Sequence, residues 1–299
     1  QLAIANELRD TETACRILLT FYEQWGDPVA GLALAREGLE IGRRIGSRVY
    51  RFQMVGNGAV CAIRVGDWDW VATLLDEWIP EEATERAYAE FHVDRAILTG
   101  LRGGDPSGDI ELAAALRAGI TDPQYESYED WARAWAALSA GRLDEARTSA
   151  MRAAETTSYF FPLAVPLAAR VALWAGDADR AREAVALLDQ PRSGGEALLL
   201  DRATMRAGLH ALEGRTGDAL AAYRDVLRGW RNLKTAWDEA LASIDMAILL
   251  DRTEQNHLTV ATCRRGRAHV AHAGPAAEGY AGRRRAIAQA PKVDSCAGP

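Results

Sequence analysis

Lysine is almost missing from this 299-residue chain: Lys234 and Lys292 are the only two among 35 basic residues. Neither follows a glycine-rich loop, since Lys234 stands in Leu233-Lys234-Thr235, so the P-loop that cradles nucleotide phosphates is absent. Cysteine is scarce too. Cys15, Cys61, Cys263 and Cys296 show no CxxC spacing, which predicts buried free thiols in a reducing cytoplasm. Long apolar runs are also wanting. The longest, 160–169, is interrupted by Pro162 and Pro166 and ends at Arg170, too short to span a bilayer. No HExxH, GxSxG or Cys/His nucleophile pattern occurs.

A positive balance is missing from most of the chain. The formal net charge is −7, but seven basic and two acidic side chains fall in 258–299, which leaves the remainder at −12. An acidic body disfavours nucleic acid and anionic lipid as partners. The opening stretch carries Glu7, Asp10 and Glu12 on an amphipathic pattern unlike a signal peptide, and with Gln1 in first place the chain is expected to begin inside a larger protein.

What the chain does have is a repeat. Turn-opening glycines stand at Gly26, Gly66, Gly104, Gly141, Gly176 and Gly214, spaced by 40, 38, 37, 35 and 38 residues, a period that marks a helical solenoid. Five residues after them stand Gly31, Val71, Ala146, Ala181 and Ala219, and twelve after them Gly38, Trp78, Ala153, Leu188 and Val226; only the Gly104 copy breaks the frame. Between glycines lie two stretches with apolar residues at three- and four-residue intervals, so each repeat is a helical hairpin. The pairs are predicted at 2–25 with 28–45, 48–65 with 67–79, 82–102 with 109–119, 123–140 with 143–157, 160–175 with 177–189 and 195–213 with 217–231, followed by a last helix over 235–250. Helix A of each pair closes at the glycine in the left-handed conformation. Helix B starts with aspartate, as at Asp67, Asp69, Asp144, Asp177 and Asp179, where negative charge meets the positive helix end. Small residues at Ala146, Ala181 and Ala219 suit a close crossing of the two helices, and Trp78, Leu188 and Val226 suit the space between hairpins. The fold class predicted is all-α, an α-solenoid (superhelix) of about six hairpins whose faces are buried only by stacking.

The segment Gly141-Arg142-Leu143-Asp144-Glu145-Ala146 followed by Ala153-Ala154 resembles the turn and second helix of a tetratricopeptide repeat, and Gly66-Asp67-Trp68-Asp69 through Trp78-Ile79-Pro80 is a looser copy. The periods exceed 34 residues, and a proline after helix B occurs only at Pro80 and Pro191. The run 56–69 and the ending 240–251 resemble the C-terminal helical region of proteins with a class III adenylate/guanylate cyclase domain and an AAA-type ATPase module. Similar arrays follow the ATPase module of large LuxR-type transcription regulators. The resemblance covers about residues 1–255. It implies a non-catalytic sensor or scaffold segment, whose partner is a protein, a peptide or an upstream ATPase or cyclase domain of the same polypeptide. A stand-alone interaction scaffold is the alternative.

Domain organisation follows: a tetratricopeptide-like solenoid over 1–257, then a tail over 258–299. The tail holds Arg264-Arg265, Arg267 and Arg283-Arg284-Arg285 without an apolar stripe, and reads as a disordered basic arm or as a non-native end left by a slipped reading frame. His269, His272 and Cys263 match no zinc spacing. Gly56-Asn57-Gly58 lacks the third glycine of a dinucleotide fingerprint and suits close helix packing instead. His92 and His210 fall singly on helices as packing or surface residues. The acidic pairs Glu81-Glu82 and Glu129-Asp130 suit helix starts or solvated faces. No catalytic, cofactor-binding or metal-binding residue is predicted. The candidate binding surface is aromatic: Tyr125, Tyr128, Trp131 and Trp135 project within roughly 120° of one another, with Arg133 and Arg142 near in sequence. Such rings suit either a hairpin core or a concave groove that grips a ligand.

Overall fold

Apolar periodicity and turn chemistry place the helices nearly where the sequence predicts them. The computed structural model describes residues 16, 19, 23, 25–79, 88–190 and 194–250. Among the described residues there are twelve helices and no strand: α1 (Pro28–Arg44), α2 (Arg48–Val65), α3 (Trp68–Trp78), α4 (Ala89–Leu101), α5 (Ser107–Leu116), α6 (Pro123–Ser139), α7 (Leu143–Thr156), α8 (Phe161–Trp174), α9 (Ala178–Leu188), α10 (Glu196–Leu212), α11 (Thr216–Leu233) and α12 (Ala236–Leu249). The predicted first helix, 2–25, and the tail, 258–299, fall almost wholly outside the described residues.

Local signals account for the boundaries. The carboxylate of Asp27 accepts from the amides of Val29 and Ala30 at 3.1 and 3.0 Å, and proline opens the helix that follows; such a cap stabilises by about 1 kcal/mol. Asp177 caps α9 through the amide of Arg180 at 3.0 Å. Asp67 occupies the cap position of α3 without such a bond and instead pairs with Arg36. Gly66 closes α2 with φ 92°, and its amide and that of Asp67 both return to the carbonyl of Ala62 at 2.9 Å. Gly141, Gly176 and Gly214 take the same left-handed turn. The irregular copy departs from the frame. There Gly103 is left-handed, with φ 80°, whereas Gly104 is not.

Successive helices pack as hairpins, α2 with α3, α4 with α5, α6 with α7, α8 with α9 and α10 with α11, while α1 packs on α2. Ala146, Ala181 and Ala219 are fully buried at the crossings, and Trp78, Leu188 and Val226 are buried between neighbours. At Gly38 a Cβ would come 2.4 Å from the sulfur of Met54, so the side chains of α2 pack directly onto the α1 backbone there. Helix α8 is buried at all 14 positions, which explains an apolar composition all round, with Pro166 inside it.

The last helices of the described chain return to the first ones. Helix α12 packs against α2, α8, α10 and α11. The amides of Ala197 and Leu198, orphan donors at the start of α10, find the carbonyls of Gly26 and Trp25 at 2.9 and 3.0 Å. Helix α10 is thus capped by backbone from the start of the described chain.

Candidate functional site

The aromatic stripe on α6 is interior. Tyr128, Trp131 and Trp135 are 9%, 5% and 7% exposed, so the expectation of accessible rings lining a groove gives way to a core. Helices α4, α5, α7 and α8 pack on α6, and Trp237 of α12 approaches Trp135 at 6.4 Å between centroids. The rings form a continuous series: Phe160 to Tyr128 at 5.1 Å, Tyr128 to Trp131 at 6.0 Å, Trp131 to Trp135 at 6.5 Å, and Trp237 to Trp68 at 5.0 Å. This series joins the residue that caps α8 to α6, α12 and α3. Only Tyr125 stays partly accessible, beneath the guanidinium of Arg117 at 4.4 Å. The indole N–H groups of Trp131, Trp135 and Trp237 have no hydrogen-bond partner. Each such buried donor costs on the order of 1–3 kcal/mol.

Beside this series lies an acidic cluster between α4 and α6. Asp94, fully buried, accepts a hydrogen bond from the hydroxyl of Tyr128, while its second oxygen has no partner. Burial pushes its carboxyl well above the usual range, against the hydrogen bond from Tyr128, and the neighbouring Glu90 adds to the rise. Burial also raises Glu90, which accepts a hydrogen bond from Tyr125. Burial thus shifts both acids toward the neutral form, in which a carboxyl tolerates an apolar setting.

Sequence reasoning missed the most consequential polar group, the charges around α12. Arg64, in the last turn of α2, donates to Asp238 of α12 at 3.0 Å and to Asp201 of α10 at 2.9 Å, and its guanidinium stands 5.5 Å from the ring of Trp230. Arg170 of α8 donates from Nε to both oxygens of Asp245 at 3.0 Å, and Trp174 donates to the same carboxylate at 2.7 Å. All five charged residues are buried, Asp245 completely. Burial raises all three aspartates, against the pull of the arginines; Asp238 is pushed up to about 6, with Asp201 adding to its rise. The available signal was an arginine or aspartate set in an otherwise apolar helix, as in 60–65, 167–174 and 240–250. Asp238 and Asp245 are seven residues apart and so share one helix face.

Several smaller expectations also resolve. Glu129 and Asp130 are not solvated charges: both are buried, Glu129 pairing with Arg117 and Arg133, and Asp130 with Arg133 and Arg152. Glu81-Glu82 lies outside the described residues. His92 is buried, with Nδ1 2.8 Å from Asp109. Despite its partial burial, Asp109 is held below the usual carboxylate range by His92 and Arg95. His210 is partly exposed. Gly58 serves close packing, since a Cβ there would meet that of Ala35 at 2.8 Å. The thiol of Cys61 is buried and pushed up by desolvation, which removes its nucleophilic thiolate. Cys263, His269 and His272 lie outside the described residues, and among those described no three His, Cys, Asp or Glu side chains gather as metal ligands. No described helix is long and apolar enough to cross a membrane.

A half-open cavity of about 320 Å³ lies at the α4–α5 turn and the end of α6, lined in part by Gly103, Asp105, Ser107, Ile110, Ser139 and Arg142. Its polar groups already have partners. The amide and hydroxyl of Ser107 donate to Asp105 at 3.0 and 2.7 Å, Ser139 donates to the carbonyl of Ala136 at 2.9 Å, and Arg142 to Glu145 at 2.6 Å.

No protein-family model matches the chain, and no curated protein matches it.

Proposed function

We propose that this chain is a non-catalytic, cytoplasmic helical-repeat segment of a multidomain signal-transduction protein, a tetratricopeptide-like sensor or scaffold that binds a protein or small ligand. Its occupancy passes to an upstream ATPase or cyclase head. One observation carries the reading: the buried charges join helices from distant parts of the array, Arg64 to Asp201 and Asp238, Arg170 to Asp245. Such contacts couple the relative position of distant hairpins. A ligand that favours one arrangement of them moves the head by its difference in affinity for the two. In the LuxR-type variant of this reading, the head is an ATP-dependent transcription regulator.

The contacts between early and late helices support a second reading, a stand-alone interaction scaffold, because α12 packs on α2 and α10 is capped by Gly26 and Trp25. Sequencing the coding DNA upstream of Gln1 separates the two. An in-frame ATPase or cyclase module supports the sensor; a start codon immediately before Gln1 overturns it and leaves the scaffold.

A further inference from the structure

The charges around α12 do not balance. Three carboxylates, Asp201, Asp238 and Asp245, share two guanidiniums, Arg64 and Arg170, and none of the five is more than 8% exposed. Asp245 is served by both Arg170 and the indole of Trp174, whereas Asp201 and Asp238 divide a single arginine between them. A second negative charge on one guanidinium in a dry interior is poorly compensated, and it is relieved by a proton. We propose that the seating of α12 is proton-linked: when α12 packs against α2 and α10, the Asp201–Arg64–Asp238 group takes up a proton from solvent, and the closure is firmer in mild acid than in mild base.

Every element packed on α12 enters the balance. Helix α2 presents Arg64, α8 presents Arg170, and α10 presents Asp201. Helix α11 presents the hydroxyl of Tyr223, which is buried and raised further by Asp245, the ring of Trp230 and the Arg231 that pairs with Glu239 of α12 itself. The neighbours Trp68 and Trp135 are uncharged. Since burial raises Asp238 from its ordinary value to about 6, between those values the closed chain holds a proton that the open chain has lost. Stability from this group is therefore present in acid and is lost as the pH rises through about 6.

The readout is amide hydrogen exchange of residues 236–249 in the full chain at pH 5 and pH 8, corrected for the intrinsic pH dependence of exchange. Glu90 and Asp94 also titrate abnormally but lie on α4, and α12 amides together with the variants below separate their effect. In the wild type, protection of α12 is expected to fall about tenfold from pH 5 to pH 8. Asp238→Asn, and independently Asp201→Asn, should flatten that dependence while keeping protection at pH 8 at or above the wild-type level. Equal protection of the wild type at both pH values overturns the proposal. So does an undiminished tenfold fall in both variants.

Discussion

Trp135→Ala tests whether the ring series through the middle of the molecule is a packed core. Trp135 is 7% exposed and lies 6.5 Å from Trp131 and 6.4 Å from Trp237, so truncation opens a cavity bounded by two other indoles. A buried tryptophan truncated to alanine costs about 3–5 kcal/mol. Part is returned, because the substitution also removes an indole N–H buried without a partner, worth on the order of 1–3 kcal/mol. A net loss of roughly 2 kcal/mol follows, which lowers Tm by about 4–8 °C in a chain of this size. Trp135→Phe keeps most of the ring and loses the unpartnered donor, so it should stay within about 1 kcal/mol of wild type. Circular dichroism melts of both variants decide the matter. A Trp135→Ala melt indistinguishable from wild type refutes the core assignment, and a Trp135→Phe loss as large as that of alanine refutes the role given to the orphaned N–H.

Arg170→Met leaves Asp245 buried with only Trp174 as donor, so urea denaturation should show a loss of roughly 3–5 kcal/mol, most of it recovered in the Arg170→Met, Asp245→Leu double variant; a single variant as stable as wild type contradicts this. Gly176→Ala meets only the strain of φ 75°, since a Cβ there has nothing within 4 Å, and should cost about 1 kcal/mol. Gly195→Ala adds a collision, since its φ is 134° and a Cβ would lie 2.4 Å from Cα of Gly26. It should cost clearly more in the same assay and expose the amides of Ala197 and Leu198 to exchange, and equal costs at the two glycines would remove the contact with Gly26 from the account.

Helix boundaries, hairpin order and the all-α class were legible in the sequence because each depends on interactions within a few residues: apolar periodicity, an Asp27 cap, a left-handed Gly66 or Gly141. The small residues at Ala146, Ala181 and Ala219 announced close crossings for the same reason, a hairpin being local in sequence. The irregular third repeat showed the limit of that reading, since the frame pointed to Gly104 and the backbone turned at Gly103. What lay beyond local pattern was where the array goes once its hairpins are stacked. Small rotations between neighbours add up, and their sum decides whether Arg64 ever meets Asp238, 174 residues away. The same holds for Tyr128, Trp131 and Trp135. Their spacing put them on one face of α6, but what covers that face comes from other parts of the chain, Phe160 over Tyr128 and Trp131 and Trp237 beside Trp135. Glu129 and Asp130 likewise became buried ion pairs through α7 and the α5–α6 turn. Periodicity determines which face of a helix turns inward; the tertiary structure alone determines what that face meets, because the partner is supplied by chain that is distant in sequence.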